Sequence, residues 1–250
     1  MRLEEGLTLQ QELTSSQGKL IIDFPRQMFD FQNIFNSHIS SLFPQCSDPG
    51  DLHLHIPADL MPSDIVKGTH HTYGHELLYA IDKCFRQDRD IPVSKVGFHE
   101  MYIKFVTWIK DTIVKEPIYF QSRPTLRIHY PNFTSNQAGL GIMHTDRDWN
   151  HPPEEINFWL PLFHCKNSST LLLEDDYKSG NFNEMSLDFG RLLIFDSSLY
   201  HGNQVSKEQK TRISMDFRII PECNYQDNGG QFSRTAGLEF TKGGYYQFMK

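Results

Sequence analysis

Between about Phe120 and Ile220 the apolar residues fall into short runs of strand length, separated by stretches rich in Gly, Pro, Asn, Asp and Ser. That rhythm excludes alternating βαβ units and points to a sandwich or barrel of short strands. Expected strands are Thr125–Tyr130, Gly141–Thr145, Ile156–Leu162, Ser169–Glu174, Arg191–Asp196 and Arg212–Ile220. Upstream the period changes. From Ser94 to Val114, Phe98, Met101, Tyr102, Phe105, Ile109 and Ile113 recur at steps of three and four, a helical stripe with Ser94 as N-cap and Pro117 beyond its end. A second helix is expected within His75–Arg86, using Leu77, Leu78, Ile81 and Phe85. The chain therefore reads as α+β with a mainly β core, in one structural domain of three parts. Residues 1–118 are a mixed helical region, 119–222 the core, and 223–250 a C-terminal extension expected to wrap the outside.

Within the strand-rich part, His144-Thr145-Asp146 is followed by His201 and then by Arg212-Ile213-Ser214. If His144 and Asp146 lie on a strand, alternation turns both to one face. Two neutral imidazoles and one carboxylate on one side of an Fe(II) ion form the facial triad of non-haem iron oxygenases, with positions left for a bidentate 2-oxo acid and dioxygen. Arginine suits the far carboxylate of such an acid, because its planar fork matches carboxylate geometry and keeps its charge. The segment Gly202-Asn203-Gln204 and the polar run Ser206 to Lys210 read as a turn. A turn centred near Ser206-Lys207 would set Arg212 opposite His201. The chain has 12 histidines. His53, His55, His70, His71, His75, His99 and His164 are expected to be ordinary surface or hydrogen-bonded residues, while His151 stands out by its nearness to the motif.

Alternation also nominates neighbours. Arg212, Ser214, Asp216 and Arg218 share one face of the last strand, so Arg212 and Ser214 fit a single carboxylate. Arg218 is expected either to reach a substrate anion or to pair with Asp216 or another acid. Asn157 and Trp159 share a face, Asn157 as a donor to the 2-oxo acid and Trp159 as pocket wall or core filler. Arg127 and His129 share another. Arg127, His129, Trp159 and Arg218 are the candidate substrate contacts. The loop from Arg147 to Pro153 is a candidate substrate rim.

Residues Arg123 to His129, His144 to Asp148, His151, Glu155 to Leu162 and Arg212 to Arg218 carry a resemblance. From about Gln121 to Ile220 the chain resembles the Fe(II)/2-oxoglutarate-dependent oxygenase superfamily, and within it the oxygenase-like proteins of streptomycin-type biosynthetic clusters. The resemblance implies a double-stranded β-helix (jelly-roll, cupin-like) core braced by N-terminal helices. It implies His144, Asp146 and His201 as iron ligands, with Arg212 and Ser214 on the C5 carboxylate of 2-oxoglutarate. The implied activity is a dioxygenase that hydroxylates a small polar metabolite and releases succinate and carbon dioxide. The presence of Asp146 argues against halogenation, since related halogenases lack that carboxylate. A non-redox cupin-type isomerase or epimerase and a protein-modifying oxygenase are the alternatives.

Composition fits a soluble enzyme. At 250 residues the chain can bury a sizeable core. A net charge of −7 argues against nucleic-acid binding. No apolar run approaches the ~20 residues of a membrane span, and the acidic start Met1-Arg2-Leu3-Glu4-Glu5 lacks a signal-peptide stretch, so a cytoplasmic location is expected. Cys46, Cys84, Cys165 and Cys223 are far apart and read as reduced thiols. Nothing in the residues fixes an oligomeric state.

Overall fold

The computed structural model describes residues 6–55, 97–132, 143–233 and 237–250. The expected helix at His75–Arg86, the Ser94 cap, Cys84 and the first two residues of the expected strand Gly141–Thr145 lie outside them.

Ten strands are described: β1 (Lys19–Asp23), β2 (Ile118–Gln121), β3 (Thr125–His129), β4 (Ile156–Phe163), β5 (Leu171–Glu174), β6 (Phe182–Glu184), β7 (Arg191–Asp196), β8 (His201–Asn203), β9 (Arg212–Pro221) and β10 (Tyr246–Met249). The larger sheet has the order β1-β7-β4-β9-β2-β10, with β3 also on β9; the smaller has the order β6-β5-β8. On the far side of β8, His144 forms an isolated antiparallel bridge with His201. From β3 onward the chain therefore alternates between sheets. It runs from β3 in the large sheet to His144 in the small one, back to β4, across to β5 and β6, back to β7, across to β8, and home to β9. This winding of two antiparallel sheets is the double-stranded β-helix that the resemblance implied.

The central strands β4 and β9 of the large sheet are buried on both faces, which explains why they read as nearly continuous apolar or mixed runs. On the outward face, Ile213, Met215, Phe217 and Ile219 of β9 join Ile156, Phe158 and Leu160 of β4 in one core with the helices Phe31–Leu42 and Phe98–Ile109. Phe158 stacks on Phe217 at 5.3 Å, and Tyr102 meets Phe217 edge-on at 5.3 Å. Burying one such ring is worth about 1.5–3 kcal/mol, so this face fixes the sheet on its helices. The helix Phe98–Ile109 runs on into one π-helical turn, Lys110–Val114, and stops where Lys115 takes a left-handed conformation. The inward face looks into the barrel. There Trp159, Leu193 and Phe195 of the large sheet meet Leu171, Leu173 and Leu199 in a second, separate cluster.

Three local expectations need correction. Gly202 and Asn203, read as turn residues, are strand β8, held by Leu171 to Leu173 of β5. Turn-forming composition lost here to pairing with β5. Strands β8 and β9 are consequently no hairpin: β8 belongs to the small sheet, whereas Arg212 pairs with His129 across β3 and β9. The C-terminal extension does more than wrap. β10 adds to β2, and Phe240, Tyr245 and Tyr246 pack with Ile220 as a third cluster. The N-terminal region also contributes a sheet strand, β1, on β7.

Candidate metal centre

His144 and His201 are locked backbone to backbone. Each N–H donates to the other's carbonyl, at 3.0 and 2.9 Å, and their rings lie 4.6 Å apart. Asp146 reaches the same point by a different route from the one expected. It is not on a strand but opens the 3-10 turn Asp146–Trp149, which Thr145 caps: the Asp148 carboxylate accepts from the Thr145 N–H at 2.8 Å. The Asp146 N–H donates to the Ser197 carbonyl at 3.1 Å. A turn, rather than strand alternation, swings the carboxylate back beside the imidazoles. One ligand atom from each of His144, Asp146 and His201 lies within 4.8 Å of the others.

The tautomer of His201 follows from its neighbours. Nδ1 lies 3.0 Å from the Leu199 carbonyl, which can only accept, so Nδ1 carries the hydrogen. In the neutral ring Nε2 then offers its lone pair, and it faces Asp146 Oδ1 at 3.4 Å. The contact is closed either by a proton on Nε2, which makes it an ion pair, or by a metal ion between the two atoms. The gap suits adjacent ligands on a metal with bonds of about 2.1 Å.

Asp146 is held on its other side. Asn157 Nδ2 donates to its Oδ2 at 2.8 Å, and the Arg218 guanidinium lies 3.4 Å from both oxygens. Burial opposes ionisation of Asp146, but the Arg218 charge and the His201 contact outweigh it and hold the carboxyl well below the usual range. Arg218 also donates to Asp216, which accepts from Arg127 Nε at 2.8 Å. The result is an alternating chain of charge, Arg127–Asp216–Arg218–Asp146. Burial works against the Arg218 charge, and the two carboxylates more than restore it. Arg218 is thus in ion pairs, the second of its two expected roles. Asn157 also departs from expectation. Its NH2 is engaged by Asp146, and the reverse amide orientation would set oxygen against oxygen, so it positions the carboxylate.

Arg212 differs from the other two arginines. It is 1% exposed, yet among the described residues its partners are neutral. Nη1 donates to Asn203 Oδ1 at 2.7 Å and to the Ser169 carbonyl at 3.3 Å, and Nη2 lies 3.5 Å from His129 Nε2. Burial, with the Arg212 and Arg127 charges, holds the His129 imidazole well below its ordinary value, so it meets Arg212 as a neutral acceptor. His129, a candidate substrate contact, is in this structure a prop for Arg212. Burial lowers the Arg212 value to about 10. Arg212 Nε and Ser214 Oγ, both buried and on the same inward face of β9, have no hydrogen-bond partner among the described residues. Asn203 was missed as an anchor, although its place two residues after His201 puts both on one face of β8.

A second buried group adjoins Asp146. His151 Nδ1 lies 2.7 Å from Glu155 Oε2, and Tyr246 Oη donates to Glu155 Oε1 at 2.5 Å. The His151 ring packs on Phe240 and Tyr245. The extension therefore ties down the metal loop through Glu155. Sequence reasoning marked His151 but found neither partner. Glu155 lay open to discovery, immediately before β4 and four residues after His151. Tyr246→Phe is expected to lower stability by about 1.5–3 kcal/mol, because one carboxylate oxygen loses its buried donor. An unchanged urea midpoint would show that this contact is not formed.

Two of the other histidines are hydrogen-bonded, as expected: His53 Nδ1 meets Thr211 Oγ1 at 2.9 Å, and His164 approaches Asp48 at 3.3 Å. Cys46, Cys165 and Cys223 are unpaired. Among the described residues no helix is long and apolar enough to cross a membrane.

No family model matches the chain. It is 33% identical over 132 residues to the streptomycin biosynthesis protein StrG of Streptomyces griseus, a match that covers 52% of this chain and 60% of that protein. The chain thus spans about three-fifths of that relative. Solved structures with similar folds include a prolyl hydroxylase in complex with a hypoxia inducible factor peptide fragment, from Trichoplax adhaerens (13% identity, 85% of this chain, 88% of that one, TM-score 0.42). EctD from S. alaskensis with bound Fe is another (10% identity, 89% and 81% covered, TM-score 0.45). A third is the non-heme alpha ketoglutarate dependent epimerase SnoN from nogalamycin biosynthesis (8% identity, 85% and 82% covered, TM-score 0.45). All three scores lie below 0.5, so the fold rests on the strand order described above.

Proposed function

We propose that the protein is an Fe(II)- and 2-oxoglutarate-dependent dioxygenase that oxidises a small polar metabolite, hydroxylation being the expected outcome. One observation carries the reading. A His-Asp-His set with converging ligand atoms shares the barrel interior with a buried arginine that has no carboxylate partner among the described residues. The donor set suits Fe(II): two imidazoles and one carboxylate leave positions for a chelating acid and a gas. The co-substrate fits as well. A buried cation whose neighbours are all neutral is unfavourable until an anion joins it, and Arg212 Nε and Ser214 Oγ are unpartnered donors beside it.

When bound together, iron and 2-oxoglutarate supply an oxidant made from dioxygen, with succinate and carbon dioxide as the other products. The protein's part is to aim and to exclude. His144, Asp146 and His201 would hold the metal, with Asn157 and Arg218 fixing the Asp146 carboxylate. Arg212 and Ser214 would hold the distal carboxylate, Asn203, Ser169 and His129 keeping the guanidinium in place. Along β8, His201 and Asn203 stand about 7 Å apart, a span on the scale of a five-carbon diacid between metal and arginine. Leu171, Leu173, Leu193, Phe195 and Leu199 keep that interior apolar. A polar metabolite of the sugar, aminocyclitol or amino-acid kind is supported by the relative whose name places it in streptomycin biosynthesis.

The test is anaerobic loading with Fe(II), addition of 2-oxoglutarate, and admission of air. Succinate is expected, accumulating slowly alone and faster when a metabolite pool contains the substrate. Failure of 2-oxoglutarate to be consumed, with the metal bound, would leave the non-redox isomerase reading in its place.

A further inference from the structure

We propose that the indole N–H of Trp159 is a third donor to the distal carboxylate of the co-substrate, so that Trp159 is a binding residue; this rests on the function proposed above. Trp159 is 2% exposed, and its Nε1 has no hydrogen-bond partner among the described residues. A buried N–H is nearly always answered. Its position in the sheet says by what. On the inward face of β4, Trp159 sits between Asn157, which holds Asp146, and Pro161, which pairs with Ser214. Trp159 itself pairs with Asp216, so Ser214 is its diagonal neighbour on β9. Three unpartnered atoms, Trp159 Nε1, Ser214 Oγ and Arg212 Nε, thus occupy neighbouring places on one face.

The chemistry of the three selects the ligand. Two are obligate donors, and one belongs to a guanidinium with no ion-pair partner among the described residues. A water there could accept from Trp159 and donate to Ser214 Oγ, but it would bring no charge to the Arg212 guanidinium. A carboxylate is acceptor only and brings the missing charge. Trp159, named from sequence as a candidate substrate contact, is thereby reassigned from the reacting metabolite to the acid that chelates the metal.

Calorimetric titration of 2-oxoglutarate into the Mn(II)-loaded protein, which reads binding without turnover, provides the test. Trp159→Phe keeps a ring and removes the N–H. It is expected to weaken 2-oxoglutarate binding roughly 10- to 100-fold, the loss of one hydrogen bond to a charged group, with Mn(II) affinity unchanged. Replacement of Trp159 by 3-benzothienylalanine, which has the indole shape with sulfur for N–H, should reproduce the loss without repacking the barrel. Wild-type affinity in the benzothienyl protein overturns the proposal, as does a loss of Mn(II) affinity in both variants. If the wild-type protein takes Mn(II) but no 2-oxoglutarate, the function itself fails and Trp159 has no such ligand to hold.

Discussion

Asp146→Ala is expected to lower Fe(II) affinity by more than about 100-fold, beyond what loss of an outer partner costs, and to abolish 2-oxoglutarate turnover. Asp146 is the anionic member of the proposed ligand set, and no other described carboxylate lies with both imidazoles. The change does a second kind of harm. Arg218 keeps Asp216 but loses a buried counter-charge, a break that costs about 3–5 kcal/mol in comparable pairs. Lost activity alone would therefore say little. Asp146→Asn keeps the shape, and His201→Ala removes a ligand while leaving the Asp146–Arg218 pair intact. The three variants separate the effects. All should lose iron by anaerobic titration, whereas His201→Ala should lose least in thermal denaturation. Iron binding near wild-type strength in a folded His201→Ala or Asp146→Asn protein would sink the ligand set.

Much of the core was legible because β4, β7 and β9 write their environment plainly. In β9, Arg212, Ser214, Asp216 and Arg218 alternate with Ile213, Met215, Phe217 and Ile219, and the two sets face the barrel and the helices respectively. The short strands were less visible. Lys19–Asp23, Ile118–Gln121 and Tyr246–Met249 lie outside the strand-rich stretch or at its edge, and four or five residues carry little period. β8 was hidden by composition, since Gly202-Asn203 is turn chemistry that pairing with β5 overrides. The grouping of His144, Asp146 and His201 was readable although its cause was not: a capped 3-10 turn, rather than a strand, brings Asp146 round. Partner identity was the hardest to read. Alternation put Asn157 on the correct face, but only the fold brings its amide to Asp146, and Tyr246 meets Glu155 from the other end of the core.

Arg212→Met should part affinity from stability. Truncating one partner of a buried, hydrogen-bonded charge pair costs about 2–5 kcal/mol of binding, so the 2-oxoglutarate dissociation constant should rise roughly 30- to 5,000-fold. The metal ligands are untouched, so Fe(II) affinity should hold. In the protein without co-substrate, however, Arg212 is a buried charge among neutral groups, and burial lowers its proton affinity to about 10. Methionine fills similar volume without that penalty, while leaving the Asn203 and Ser169 acceptors unanswered. The opposing terms should nearly cancel, for a change in unfolding free energy within about 1–2 kcal/mol. Arg218→Met provides the contrast. It removes the counter-charge that Asp146 and Asp216 share, leaving Asp146 with Asn157 and Asp216 with Arg127, and should destabilise by about 3–5 kcal/mol. A buried arginine kept for structure would behave like Arg218 in both assays. If Arg212→Met instead unfolds the protein as readily as Arg218→Met, or binds 2-oxoglutarate as wild type does, then Arg212 is not waiting for a carboxylate.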